Sequence, residues 1–194
     1  GYRRRDSEQA QFLSARHFID IGAVDGIRAN ITFTLERQLG WTCICVEPNS
    51  RKYSELRQNR SCVCENLCAY SRAGTVKFTE PGVFPAHGGI TKHLVPHKRK
   101  WWSVDATEVD KQAMTLEAIL RLHAAPKQIH YLSIDVEGSE YEILKAFPFD
   151  EYQFLAATIE GRSCDDLLTN RSYEQVSSPY CDAEWEHFFV YRND

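Results

Sequence analysis

Three acids in the second half of the chain stand where proton or cation chemistry would need them. Asp135 and Glu137 lie in Ile134-Asp135-Val136-Glu137-Gly138, just after the apolar run 129–134, and Glu160 ends a second apolar run, 154–159. Ligands of open α/β sheets bind beyond the carboxyl ends of the strands, so acids that close neighbouring strands converge on one crevice. There a carboxylate, Asp135 or Glu137, can remove the proton of a hydroxyl. Alternatively, Asp135 and Glu160 can hold Mg²⁺ or a similar hard divalent cation. Three bare charges would repel, so one must be protonated, hydrogen-bonded or bound to a cation. The plainer readings are that Glu137 caps the following helix and that Asp135 only holds a cofactor.

A second constellation occupies the first half. Asp20 is set in the mostly apolar run 17–21, and Gly22 and Gly26 bracket the turn that follows. The run 41–46 ends at Glu47-Pro48-Asn49, 27 residues after Asp20, about one βαβ repeat. Glycine lacks the Cβ that would keep a ligand off the backbone, and a helix N-terminus behind it favours a polar group. An acid at the end of the second strand accepts hydrogen bonds from ribose hydroxyls. The spacing is G-x-x-x-G, not the G-x-G-x-x-G that cradles a pyrophosphate. A nucleoside without a diphosphate fits, and S-adenosylmethionine is one, with its amino-acid end at the glycine turn and its ribose at Glu47.

The elements that must position these residues alternate. Strands are expected at 17–22, 41–47, 61–67, 129–134, 154–159, 174–177 and 187–191. Helices are expected at 26–39, 50–59, 115–123 and 139–147. The first helix carries Ile27, Ile31, Leu35 and Leu39 at every fourth position and stops at Gly40; the last opens on a Ser139-x-x-Glu142 capping box. Residues 74–80 alternate Val76 and Phe78 with polar partners and read as an extra edge strand. This order predicts an α/β fold: a mainly parallel sheet, helices on both faces, and an antiparallel C-terminal edge. Residues 81–110, with Pro81, Gly82, Pro85, Gly88, Gly89 and Pro96, break the pattern and read as a long functional loop. In it Trp101 and Trp102 suit stacking on sugar faces, and Lys98, Arg99 and Lys100 suit an anion; a solvated basic loop is the plain alternative. His87, beside Gly88-Gly89, is a further candidate base at the acceptor.

Composition bounds the rest. At 194 residues the chain reads as one domain, and its start, Gly1-Tyr2-Arg3, reads as a cut from a longer protein or as a tag remnant. A net charge of −4 exerts no pull towards nucleic acid or anionic membrane, and no apolar run approaches a membrane span. Of the seven cysteines, Cys43 and Cys45 alternate, as do Cys62 and Cys64, and no C-x-x-C occurs. They read as buried thiols of a cytoplasmic protein rather than a zinc site.

These stretches together resemble the FkbM family of S-adenosylmethionine-dependent O-methyltransferases. The matching residues are Phe18-Ile19-Asp20-Ile21-Gly22-Ala23-Val24-Asp25-Gly26 with Asn30, Gly40-Trp41 through Val46-Glu47-Pro48-Asn49, Leu67-Cys68-Ala69-Tyr70-Ser71, Thr115-Leu116, and Tyr131 through Glu140. The resemblance implies the class I methyltransferase (Rossmann-like) fold and methylation of a hydroxyl, commonly on a sugar or related small molecule. Residue by residue, it implies cofactor contacts at Asp20, Gly22, Ala23, Gly26, Asn30, Glu47, Pro48, Asn49, Cys68, Ala69 and Asp135, with Cys68 and Ala69 against the adenine. Two other readings stand beside it: a nicotinamide-dependent oxidoreductase, which the glycine spacing and the lack of a Tyr-x-x-x-Lys pair disfavour, and an inactive methyltransferase fold used for interaction.

Overall fold

The structure is a computed structural model that describes residues 16–28, 30–83, 85–94, 105–177 and 185–192. The main sheet has seven strands: β1 (His17–Ile21), β2 (Thr42–Val46), β3 (Val63–Glu65), β8 (Gln128–Ile134), β9 (Gln153–Glu160), β10 (Tyr173–Val176) and β11 (Glu186–Tyr191). Their order is β10-β11-β9-β8-β1-β2-β3. Only β11 runs against its neighbours, as the expected antiparallel edge requires. β1 pairs in parallel with β2 on one side and β8 on the other, so it is buried on both edges and both faces.

Strand period two divides β1 between two cores. Ile19 and Ile21 join the larger one, which Leu116, Ile119, Leu120, Ile143 and Leu144 close from one face. Phe18 joins the smaller one on the opposite face with Cys43, Cys45 and Leu56. The helices supply those covers: α1 (Phe33–Arg37), α2 (Ser50–Asn59), α3 (Leu116–Leu122), α4 (Glu140–Lys145) and α5 (Asp165–Thr169). Asn49 caps α2 through hydrogen bonds from the Arg51 and Lys52 amides, and Thr115 caps α3 through that of Ala118.

Several expectations need correction. The helix expected over 26–39 survives only as α1. Asp25 Oδ1 accepts from the Ile27 and Arg28 amides, and Asn30 Oδ1 accepts from those of Thr32 and Phe33. These local side-chain bonds compete with the helical ladder and hold the preceding stretch in turns. Ile27, Ile31 and Leu39 consequently lie exposed, and only Leu35 of that stripe packs inward. The capping box at Ser139 also fails, because the Ser139 side chain makes no capping hydrogen bond.

The loop expected over 81–110 contains structure. β5 (Gly74–Glu80) is no edge of the main sheet. It belongs to a second sheet of order β4-β7-β5-β6, with β4 (Cys68–Ala69), β6 (Gly89–Ile90) and β7 (Thr107–Met114). β7 pairs with β5 at seven successive positions from Gly74↔Ala113 to Glu80↔Thr107. Its sequence, TEVDKQAM, is too polar to announce a strand; the partner decides it.

Cys43 and Cys62 form a disulfide, with Cα atoms 5.2 Å apart. The expectation of free thiols throughout is therefore wrong. The parallel register that pairs Ile44 with Val63 brings the preceding residues, Cys43 and Cys62, side by side. Cys45, Cys64, Cys68 and Cys164 are free.

Candidate functional site

Three strand ends are drawn together at Gly22. The Gly22 amide donates to Val46 O of β2 at 2.9 Å, and the Asp135 amide donates to Ile21 O at 2.9 Å. Gly22 holds φ +89°, and a Cβ there would stand 1.8 Å from Asp135 O. No side chain fits, so glycine is what lets β1 end against the tip of β8. Gly26 is needed differently. Its Cβ would meet Arg60 Cγ at 2.6 Å and Leu56 Cδ1 at 2.7 Å, so it lets the turn pack on α2 and the residue after it.

Glu47 follows β2 and is 5% exposed. Its Oε2 accepts from the Val24 amide at 2.9 Å and its Oε1 from the Asn49 amide at 2.7 Å. Burial pushes its pKa up to about 8, against the pull of those two backbone donors. Each oxygen keeps a second lone pair for a further donor.

The parallel register of β8 and β9, ending at Ile134↔Ile159, brings Asp135 beside Glu160. Asp135 opens to solvent at the crevice, but protein atoms crowd its carboxyl. That burial, with the charge and hydrogen bond of Glu160 and the charges of Glu137 and Glu140, holds Asp135 well above the carboxylate range. Asp135, Glu137 and Glu160 bring one carboxylate oxygen each to within 4.8 Å of one another.

Glu137 is buried in a left-handed backbone conformation, φ +62°, followed by Gly138 at φ +115°. A non-glycine residue held there costs about 1–3 kcal/mol and persists only where its surroundings impose it. One such constraint is His87, whose Nδ1 lies 2.9 Å from Glu137 Oε1. Another is Glu140, 3% exposed, whose Oε1 accepts from the Val136 and Gly138 amides at 3.1 and 3.0 Å. Burial raises the Glu140 pKa. The sequence pattern points to Glu142 as the helix-start acid, yet Glu140 is the one that binds the turn.

Between these ends lies a crevice with about 420 Å³ of empty space, part of it open to solvent. The main sheet contributes Gly22, Glu47, Pro48, Asp135, Val136 and Ser139; Cys68 and Ala69 form another wall. Phe78 and Ile90 of the second sheet close it, with Ala86 and Gly88 from the segment between β5 and β6. Burial pushes the Cys68 thiol up to about 12, so that wall is uncharged and suits a flat aromatic ring. Gly89 permits the approach of the second sheet: a Cβ there would stand 3.2 Å from Val136 O and 2.7 Å from Leu94 Cδ2. Phe78 was legible as an apolar strand position and Ile90 lay in the expected loop, and nothing in their spacing linked them to the Asp135 turn.

The other sequence-nominated residues sit behind this crevice. Asp20 shares the Phe18 face of β1. Its Oδ2 accepts from Asn30 Nδ2 at 2.8 Å and Thr32 Oγ1 at 2.6 Å. Burial raises its pKa. Asn30 also donates to Ala23 O at 3.2 Å, and Ala23 is fully buried in the smaller core. Arg60, which the sequence reading missed, binds this network through Gly26 O, Asn30 Oδ1, Thr32 Oγ1 and Glu36. Asn49 spends its side chain on the α2 cap. Asp20, Ala23, Gly26, Asn30 and Asn49 thus shape the glycine turn and the Glu47 loop from behind. Trp101 and Trp102 lie outside the described residues, as do Lys98, Arg99 and Lys100.

The profile of the Methyltransferase FkbM domain matches residues 20–167. No protein of curated function matches the chain by sequence. Among solved structures, methyltransferase FkbM from Methylobacillus flagellatus KT is similar at 15% identity and a TM-score of 0.56; the match covers 92% of this chain and 44% of that one. The chain thus spans less than half the length of that solved relative. The N-terminal domain of human METTL16 in complex with SAH is similar at 12% identity and a TM-score of 0.44, covering 99% of this chain and 69% of that one. The strand order and its single inverted strand are those of the class I methyltransferase fold.

Proposed function

The chain belongs to the FkbM methyltransferase family, and from that premise we propose that it moves the methyl group of S-adenosylmethionine to a hydroxyl oxygen of a sugar or glycan. The observation that carries this reading is the crevice itself. It joins a buried carboxylate with two unused lone pairs, an uncharged wall at Cys68 and Ala69, and an acid cluster beyond the tip of β8. In this reading Glu47 accepts the ribose hydroxyls, Gly22 lets the methionine end approach the backbone, and Cys68, Ala69 and Ile90 hold the adenine. The bound donor supplies an activated methyl on a positively charged sulfur.

The protein then has two tasks. It must place a hydroxyl oxygen in line with the sulfur–methyl bond, and it must accept that hydroxyl's proton. Burial and the neighbouring Glu160 hold the Asp135 carboxyl well above the carboxylate range, so near neutral pH it can donate to a sugar hydroxyl. Glu137 orients the imidazole of His87 through Nδ1, which favours proton acceptance at Nε2. Asp135, Glu137 and Glu160 together also suit a hard divalent cation, which would lower the pKa of the bound hydroxyl and leave less work to His87.

The test is incubation of the protein with the methyl donor and glycans from its host, followed by mass spectrometry with and without EDTA. A methyl added to an oxygen of the glycan is the expected product. Loss of that product in EDTA, restored by Mg²⁺, would favour the cation route; unchanged turnover would leave the proton with His87. No methylated glycan, despite binding of the donor, would refute the acceptor class and favour the inactive interaction domain. The family assignment removes the ground for a nicotinamide-dependent oxidoreductase.

A further inference from the structure

Three Asn-x-Ser/Thr tripeptides occur in the chain: Asn30-Ile31-Thr32, Asn59-Arg60-Ser61 and Asn170-Arg171-Ser172. Such tripeptides accept N-linked glycans in secreted proteins, and the glycan needs a surface position. The fold treats the three differently. Asn30 Nδ2 donates to Asp20 Oδ2 and Ala23 O, and Asn59 Nδ2 donates to Asp25 O at 2.8 Å. A sugar on either nitrogen would displace bonds that hold the glycine turn. Arg60, between Asn59 and Ser61, is itself buried.

Asn170, Arg171 and Ser172 are all exposed. Asn170 is the C-cap of α5, and its backbone amide donates to Asp166 O at 3.1 Å. Tyr173, next along, opens β10 and accepts from the Phe154 amide at the start of β9. The tripeptide therefore sits at the sheet edge where β9 begins. The crevice lies at the opposite edge, where β9 ends, so a glycan on Asn170 leaves it open.

The cysteines bear independently on the compartment. A Cys43–Cys62 disulfide forms and persists in oxidising surroundings, which are also where N-glycans are attached. Of the four free cysteines among the described residues, Cys45, Cys68 and Cys164 are buried and Cys64 is half-buried. Burial pushes their thiols up, so they are poor partners for exchange with the disulfide.

We propose that Asn170 is an N-glycosylation site, on a domain that matures in an oxidising, secretory-type compartment and not in the cytoplasm. The co-reactant is a lipid-diphosphate-linked oligosaccharide. Asn170 Nδ2 bonds to the anomeric carbon of its first sugar as the bond from that carbon to the diphosphate breaks. The amide nitrogen loses one proton, the lipid diphosphate departs, and nothing is oxidised or reduced.

The test uses the protein purified from the cells that make it, alkylated without reductant. Release of N-glycans by peptide N-glycosidase in heavy-oxygen water converts a glycosylated Asn to labelled Asp, which peptide mass spectrometry reads. The expected result is label at Asn170, none at Asn30 or Asn59, and Cys43 and Cys62 recovered on joined peptides. Ser172→Gly removes the acceptor hydroxyl and tolerates the φ of +64° at that position; it should migrate on a gel like the deglycosylated wild type. Recovery of Asn170 as unlabelled Asn, label confined to Asn30 or Asn59, or unchanged migration of Ser172→Gly would overturn the proposal. Recovery of Cys43 and Cys62 as alkylated thiols would overturn its compartment.

Discussion

Raising the pH should tighten the binding of S-adenosylhomocysteine, the demethylated donor, and Glu47 is the group responsible. Its pKa of about 8 in the ligand-free protein keeps it protonated at neutral pH. The Val24 and Asn49 amides already use one lone pair on each oxygen. A proton takes one of the two that remain, so a ribose offering two hydroxyl donors requires the ionised form. Each pH unit below the pKa then costs about 1.4 kcal/mol, so Kd near pH 7 should be about tenfold weaker than near pH 9, and near pH 6 about a hundredfold weaker. Isothermal titration calorimetry with S-adenosylhomocysteine, in buffers of differing ionisation enthalpy, counts the protons released. About one proton should leave per ligand bound near pH 7. Asp135 and Glu140 also have raised pKa values, so the variant decides between them. Glu47→Gln should bind more weakly at alkaline pH and lose the slope. A flat wild-type profile without proton release, or the same slope in Glu47→Gln, would refute the assignment of Glu47 to the ribose.

Two further outcomes follow from the geometry. Gly22→Ala and Gly40→Ala both place a side chain at positive φ, but a Cβ on Gly40 meets nothing within 4 Å. Gly40→Ala should lose about 1–2 kcal/mol of stability in urea denaturation, and Gly22→Ala about 1–3 kcal/mol more because its Cβ must displace Asp135 O. Equal losses would show that the three strand ends are not held as tightly as the hydrogen bonds imply. His87→Ala should lower kcat by about a hundredfold with little change in donor Kd, and Glu137→Gln should lower it by about tenfold. The wild-type rate in His87→Ala would move proton acceptance to Asp135 and Glu160.

Much of the site was legible because strand ends advertise themselves. An acid after an apolar run, as at Glu47, Asp135 and Glu160, marks the carboxyl edge of a parallel sheet, and all three acids stand there. What failed was local reading of polar residues with more than one use. Asp25 and Asn30 look like helix positions on a four-residue stripe, but their side chains bind backbone amides and unmake the helix. Asp20, nominated as a cofactor contact, lies on the Phe18 face of β1, and its hydrogen bonds to Asn30 and Thr32 are ones its place in a mostly apolar run does not announce. Glu142 and Glu140 are nearly equivalent in sequence, but only Glu140 accepts from the Val136 and Gly138 amides.

The sequence by itself determined the order of alternating strands and helices, the sheet they form, and the acids at its carboxyl edge. Those follow from hydrophobic period and chain connectivity, which are local. Only the tertiary structure decided that β5 and β7 make a second sheet over the crevice, that Cys43 meets Cys62, and that His87 reaches Glu137 across fifty residues. Each of these joins residues distant in the chain, and its energy exists only once both partners are in place, so neither segment carries the signal alone.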